Sequence, residues 1–458
     1  MVKKTKRKKT LSHNGHSHES LRFPKGFLWG ASTSAHQVEG GNIHNDWWAW
    51  EQKRGKIKND DRSSKATDHY HRFEEDFDIA AASHHNAHRF SIEWSRIEPR
   101  EREWNWEEVD HYRAVLKALK KRKIKTMVTL HHFTNPVWIA ESGGWENHHT
   151  AAAFARYAEF IAEHLGEYID FWITINEPVI YTVQGYAVAE WPPETKSFFK
   201  GFRVFRHLAQ GHKLAYREIH AEMNKQHRRA RVGIAQNVIS LVSYRKTFRD
   251  YLYVRFSEYV WNDLFFTFTK GTHDFIGVNY YFHQRVRRNH DGKYIFVSTR
   301  KEKRESSDLG WEIYAPGIFE VLIDLQKYGL PMYITENGIA AVNDDKRSRF
   351  IVSHLKEVYH AIKAGVDVRG YFYWSLLDNF EWDKGFEPRF GLVEVDYKTL
   401  KRTPRPSSYL YAHICKENAI THDLLRFIGH GARPEEPLLE EELLEKNTDT
   451  DEYGNPSS

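Results

Sequence analysis

Two short stretches end on a carboxylate where an ordinary buried strand would not. "FWITINEPVIY" (171–181) is an apolar, β-branched run that stops at Asn176, Glu177 and Pro178, and "PMYITENGIA" (331–340) carries Tyr333, Ile334 and Thr335 into Glu336, Asn337 and Gly338. A carboxylate is costly to bury without partners, and proline ends strand pairing. Two acids at strand ends far apart in sequence suit the cleavage of a glycosidic bond. One must protonate the departing oxygen, and the other must attack the sugar carbon or activate water. The plainer alternative is a rim carboxylate or a structural salt-bridge partner.

Bringing Glu177 and Glu336 together requires elements that converge. Short β-type segments followed by helix-length segments recur along the chain, which argues for βα units. Eight candidate strands are "GFLWGAS" (26–32), "HRFSIEW" (88–94), "KTMVTLHHF" (125–133), "FWITINE" (171–177), "RVGIAQNVIS" (231–240), "HDFIGVNYY" (273–281), "PMYITENG" (331–338) and "VRGYFYWSLLD" (368–378). Between them, Val109, Tyr112, Val115, Leu116 and Leu119 recur at helical spacing, and "TAAAFARYAEFIAEHL", "VFRHLAQGHKLAYREIHAEM", "PGIFEVLIDLQKYGL" and "RSRFIVSHLKEVYHAIKAG" supply further helices. The aromatic stretch 248–266 is less regular. The predicted fold class is α/β, a single (β/α)8 barrel of the TIM type, which the count favours over a doubly wound sheet. In such a barrel the carboxyl ends of all strands meet on one face. Polar residues occupy that end: Gln37, Arg89, His131, His132, Asn176, Glu177, Asn279, Tyr281 and Glu336, with Trp374 in the eighth strand.

The chain of 458 residues is 40% hydrophobic and 15% aromatic, enough for one large domain and incompatible with wholesale disorder. Its formal charge of +5 is matched by the first 20 residues alone, with six Lys or Arg against one Glu, so the remainder sums to zero. The basicity belongs to a tail. "KKTKRKK" could touch an acidic surface or nucleic acid, but nucleic-acid binding is not expected of a short polar end. The predicted organisation is a disordered basic tail (1–20), a catalytic barrel domain (21–434) and an acidic carboxy-terminal tail (435–458). In that last tail, Leu438, Leu439, Leu443 and Leu444 could form one short docking helix. A single cysteine, Cys415, excludes an internal disulfide and a paired-cysteine zinc site. With no apolar leader and no 18-residue apolar stretch, a soluble, cytoplasmic protein without a membrane partner is expected.

"TINEP" and "YITENG" resemble the acid/base and nucleophile signatures of glycoside hydrolase family 1, the β-glucosidase and β-galactosidase family. The similarity runs from "FPKGFLWGASTSAHQVEG" through "RFSIEWSRIEP" and "TLHHFTNPVW" to "YFYWSLLDNFEW" and "RFGLVEVD", about residues 21–415. The resemblance implies one (β/α)8 barrel and hydrolysis of β-glycosides with retention, without metal or cofactor. It assigns Glu177 as general acid/base and Glu336 as nucleophile, with Arg89, Asn279 and Tyr281 supporting the catalytic pair. It places Gln37, His132, Asn176, Glu381 and Trp382 on the sugar hydroxyls, Trp374 under the sugar ring in preference to Phe372, and Trp311 at the entrance. The implied ligands are small β-glycosides or short β-linked oligosaccharides carrying terminal glucosyl, galactosyl or fucosyl groups. A homo-oligomer is compatible with the resemblance, though no strip of sequence identifies an interface.

Two departures bear on specificity. The family commonly has Trp after the sugar-binding histidine, where this chain has Phe133, which keeps an apolar wall but loses an indole hydrogen bond. The stretch between "VQGYAVAEWPPETKS" and "GFRVFRHLAQ" is shorter than in many members, so a more open cleft mouth is expected. Glu381 near the sugar's O6 argues against a 6-phospho-β-glycosidase, because a carboxylate repels a phosphate dianion. A noncatalytic sugar-binding barrel is disfavoured by the presence of both glutamates with Arg89 and Tyr281. The pairs His84/His85, His131/His132 and His148/His149 lack H-E-x-x-H spacing, and neither "GGNIHNDWW" nor "GGW" completes a phosphate or dinucleotide loop.

Overall fold

In the computed structural model, residues 20–245, 247–289, 292–296 and 304–428 are described. The boundaries of both tails, and the four leucines 438, 439, 443 and 444, lie outside or at the edge of these residues. Eight parallel strands close into a barrel: β1 (Leu28–Ser32), β2 (Ala87–Ser91), β3 (Lys125–His131), β4 (Phe171–Asn176), β5 (Val232–Ser243), β6 (Phe275–Arg288), β7 (Met332–Asn337) and β8 (Val368–Trp374). Each strand pairs with its sequence neighbour, and β8 pairs with β1 to complete the ring. All eight fall within the segments predicted from sequence or overlap them, so the barrel expectation holds.

Eight helices are relevant to the outer layer: α1 (His69–Ala82), α2 (Trp106–Lys121), α3 (His149–Leu165), α4 (Phe198–Lys225), α5 (Phe248–Glu258), α6 (Pro316–Leu325), α7 (Asp344–Lys363) and α8 (Pro406–Glu417). Four of them, α2, α4, α5 and α7, start at side-chain caps. Asn105 accepts from the Glu107 and Glu108 amides, and Asn343 accepts from that of Asp345. Ser197 accepts from the Lys200 amide, which starts α4 six residues before the predicted Val204. The irregular aromatic stretch is α5, a π-helical turn (Tyr259–Asp263) and a short helix (Leu264–Phe268). The change of pitch is why its apolar residues keep no single period.

Inward-facing side chains close the bottom of the barrel and leave the top polar. Leu28, Ala87, Met127, Phe171, Ile173, Ala235, Phe275, Tyr333 and Phe372 form one buried apolar cluster to which every strand contributes, β4 with two residues. Two residues further along β8, Trp374 belongs to a separate cluster with Tyr281, Trp311 and Phe390. Phe372 therefore plugs the barrel floor while Trp374 faces the upper end.

Candidate active site

Strand irregularities aim the two acids. The β4–β5 register shifts between Ile173 and Asn176. Thr174 points outward to His212 on α4, whereas Asn176 points inward to Arg89. Glu177 then leaves the strand with φ 46° and ψ 58°, a left-handed conformation uncommon for a residue with a Cβ. Its amide still bonds the Ala235 carbonyl of β5 at 2.7 Å, and Pro178 opens the next helix at a position where no N–H is needed. The sequence N-E-P thus ends a strand, turns the chain and starts a helix within three residues. At the other acid, the β6–β7 register shifts between Val278 and Asn279, bringing Asn279 opposite Glu336.

The two carboxylates have unlike surroundings. Arg89 Nη1 donates to Glu336 Oε1 at 2.5 Å, and the Tyr281 hydroxyl donates to Glu336 Oε2 at 2.5 Å. Arg89 is itself buried and fixed by Thr129 Oγ1 at 3.1 Å, the Thr335 carbonyl at 3.2 Å and Asn176 Oδ1 at 2.7 Å. Glu336 therefore has a charge-assisted partner on one oxygen and a phenol on the other. Glu177 has only neutral amides: Asn279 Nδ2 at 2.8 Å and Asn237 Nδ2 at 3.1 Å, both on Oε1. No described residue bonds its Oε2, the atom available to a leaving group.

Burial, followed by the negative charge of Glu336, pushes the Glu177 carboxyl up to about 8; the two asparagines and Arg89 pull the other way. Glu177 thus holds a proton at neutral pH beside an anion. Burial and Glu336 also push Glu381 up to about 8, while its Oε2 accepts from Gln37 Nε2 at 3.2 Å. Gln37 is anchored by Ser34 Oγ at 2.6 Å, Asn379 Oδ1 at 3.0 Å and the Phe380 carbonyl at 3.0 Å.

The aromatic residues stand around this polar centre. The His132 ring lies nearly parallel to Trp374 (5.9 Å, 8°) and to Trp382 (6.1 Å, 14°), and burial and Arg89 hold it neutral. Its Nε2 is 3.5 Å from Asn176 Nδ2. Trp311 is half-buried and packs on Tyr281 at 5.8 Å and Phe390 at 6.3 Å. His131 diverges from its neighbour, toward Asn135 and Trp145. Among the described residues no cluster of three or more His, Cys, Asp or Glu could hold a metal ion.

Every predicted site residue lies in this constellation, but sequence reasoning missed three neighbours. Asn237 bonds Glu177 directly, held in turn by Trp261 Nε1 at 3.2 Å. The signal was present: Ala235 and Asn237 alternate on the inward face of β5, the one strand for which no polar end was noted. Asn379 fixes Gln37. Trp191 packs edge-on against Phe133 at 5.0 Å, and Phe133 in turn against Trp382 at 5.2 Å. Trp191 Nε1 bonds Asp383 at 2.9 Å, so this second indole fills the wall beside the Phe133 departure.

A closed parallel barrel with paired acids at its carboxyl end is the architecture of a glycoside hydrolase, and comparison with known proteins fixes the family. Residues 19–267 and 244–420 match Glycosyl hydrolase family 1. A 1,4-beta-D-glucan glucohydrolase of Thermotoga neapolitana is 32% identical over 444 residues, 87% of this chain and 99% of that protein. A beta-galactosidase of Pyrococcus woesei is 31% identical, with 87% and 98% covered. Among solved structures, the beta-glycosidase from Pyrococcus horikoshii superposes with a TM-score of 0.83 at 38% identity, covering 90% of this chain and 99% of its own. The chain belongs to glycosyl hydrolase family 1.

Proposed function

We propose that this enzyme is a retaining exo-β-glycosidase, a β-glucosidase that also accepts β-galactosyl or β-fucosyl groups. Its substrates are small β-glycosides or short β-linked oligosaccharides. The observation that carries the reading is the unequal bonding of the two acids: Glu336 bonds the Arg89 guanidinium and the Tyr281 hydroxyl, whereas Glu177 bonds only the neutral amides of Asn279 and Asn237. Glu336 attacks the anomeric carbon while Glu177 gives its proton to the departing aglycone oxygen. The ester that forms removes the negative charge of Glu336, which is the second largest cause raising the Glu177 pKa. Glu177 can then take a proton from water, and hydroxide character at the anomeric carbon releases the sugar and regenerates Glu336.

Gln37, Glu381, Trp382, His132 and Asn176 hold the sugar hydroxyls over Trp374, with Trp311 at the mouth. The names of relatives, a glucan glucohydrolase and a beta-galactosidase, support the substrate range. The catalytic domain spans residues 21–434 between two tails, and the buried lone Cys415 suits a cytoplasmic enzyme. No helix among the described residues is long and apolar enough to cross a membrane. A panel of α- and β-linked nitrophenyl glycosides, some 6-phosphorylated, tests the reading: turnover is expected on the neutral β-glucoside. Turnover confined to α-linked or phosphorylated sugars contradicts it.

The pKa of Glu177 sets the alkaline limb of kcat/KM. That limb is expected to fall near pH 8, since the acid must be protonated in the free enzyme. Asn237→Ala removes a hydrogen bond that favours the anion and moves the limb up by about one pH unit, from the worth of one bond to a charged group. Glu381 shares no hydrogen bond with Asn237 and feels that change only through the charge of Glu177, a smaller cause of its own shift than burial and Glu336. A pH–rate profile left in place by Asn237→Ala rules out Glu177 as the group observed.

The same shift makes the site costly to the fold. Between about pH 4.5 and 8, native Glu177 retains a proton that the unfolded chain releases, so stability falls as pH rises through this window. Glu177→Gln keeps the acceptor for both asparagines and does not titrate. Its Tm is expected to exceed that of the wild type by a few degrees at pH 8 and by less at pH 5. Equal Tm differences at both pH values contradict the raised pKa.

A further inference from the structure

Among the described residues, most of the exposed large apolar side chains lie in one sector, after β4 and β5. Phe198 and Phe199, at the first turn of α4, are 80% and 83% exposed, and Phe202 follows them. On α5, Phe248 and Phe256 are 74% and 67% exposed, and Tyr251 and Leu252 stand between them. The two groups are joined. Phe202 packs edge-on against Phe268 at 6.2 Å, and Tyr259 at the end of α5 bonds Thr267, next to Phe268, at 3.3 Å. Helices that follow barrel strands begin at the carboxyl end of the barrel, so this belt adjoins the face that carries the two acids.

The exposed charges of the belt have one sign. From 196 to 206 the charged residues are Lys196, Lys200, Arg203 and Arg206, all exposed. From 244 to 260 the exposed charges are Arg245, Arg249 and Arg255, and both carboxylates are turned to the protein. Asp250 is buried and accepts from the Tyr294 hydroxyl at 2.7 Å, and Glu258 accepts from the Leu241 amide at 3.2 Å. Lys200 and Arg255 also reach Glu146 and the pair Glu258 and Asp324. Exposed phenylalanines interleaved with arginine and lysine are the composition of a surface that lies in the interface of a bilayer, rings among the acyl chains and cations at the headgroups. A second copy of this chain is a poorer occupant, because a symmetric contact sets cation against cation.

We propose that the α4–α5 belt docks the enzyme peripherally on an anionic lipid surface, with the active-site end of the barrel toward the bilayer. The belt is visible only in the fold, because it depends on which rings face outward and not on the length of an apolar run. Nothing in the proposal depends on the roles of Glu177 and Glu336, and its failure leaves those roles intact.

The test is cosedimentation of the full chain with vesicles of phosphatidylcholine containing 30% phosphatidylglycerol, against pure phosphatidylcholine and inorganic phosphate as competitor, at low and high salt. Wild type is expected to bind the anionic vesicles at least tenfold more tightly than the neutral ones, less so in high salt and without displacement by millimolar phosphate. Phe199→Ser/Phe256→Ser and, separately, Arg203→Glu/Arg249→Glu are each expected to weaken that binding at least tenfold, with kcat/KM on a soluble nitrophenyl glucoside unchanged. Absence of binding to both vesicles in low salt overturns the proposal. So does displacement by phosphate alone, or a wild-type oligomer that Phe199→Ser/Phe256→Ser reduces to monomer without any vesicle binding, which assigns the belt to a second copy. Vesicle binding undiminished in both variants also overturns it, and points to another surface such as the basic residues 3–9.

Discussion

Glu336→Gly is expected to lower turnover of a nitrophenyl β-glucoside by about four orders of magnitude or more, the scale on which losing a nucleophile acts. Glycine leaves a gap on the face of the sugar opposite the leaving group. Added azide or formate can enter it, beside Arg89 and Tyr281, which in the wild type both bond the Glu336 carboxylate. A single displacement by azide inverts configuration, so the rescued product is the α-glycosyl azide. The variant also leaves Arg89 buried without its carboxylate, costing about 3 kcal/mol or more of stability, so rescue must be read on protein shown to be folded. A high unassisted rate, or rescue yielding only β product, moves the nucleophile away from Glu336.

Glu177→Ala should divide the reaction in two. Attack by Glu336 survives, but the leaving oxygen is no longer protonated. A dinitrophenyl glycoside, whose leaving group departs without a proton, is expected to lose far less in the first step than an alkyl glycoside. Hydrolysis of the covalent intermediate lacks its base, so a burst of phenolate precedes a weak steady rate. Azide, which needs no base, accelerates that steady rate and gives the β-glycosyl azide by two successive inversions. Equal losses for the two leaving groups with no burst, or an α-azide product, remove Glu177 from the acid/base role even though the family stands.

The barrel was legible because alternating strand and helix periods survive in the sequence, and because polar residues accumulate where strands end. The bonds between those residues were not. Whether Asn176 or Ile175 faces the barrel interior depends on a register shift in β4, and whether Phe372 or Trp374 faces the cleft depends on depth along β8; neither follows from composition. Asn237 was overlooked although its inward parity is plain once β5 is placed, since an asparagine after apolar residues also suits a turn. Trp191 comes from the connection before α4 and makes its contact across the fold with Phe133 and Trp382. The left-handed turn at Glu177 likewise becomes visible only in the backbone, where Pro178 and the Ala235 carbonyl hold it.

The order in which the product anomers appear addresses the pairing of Glu177 and Glu336 as acid/base and nucleophile most directly. Proton NMR of β-glucoside hydrolysis, followed from the first turnovers and faster than mutarotation, should show β-glucose first and α-glucose only later. That outcome requires two displacements at one carbon, and hence carboxyl groups about 5 to 5.5 Å apart rather than the 6.5 to 9.5 Å that admits an intervening water. If α-glucose appears first, a single displacement by water is at work and the account of the two acids is wrong.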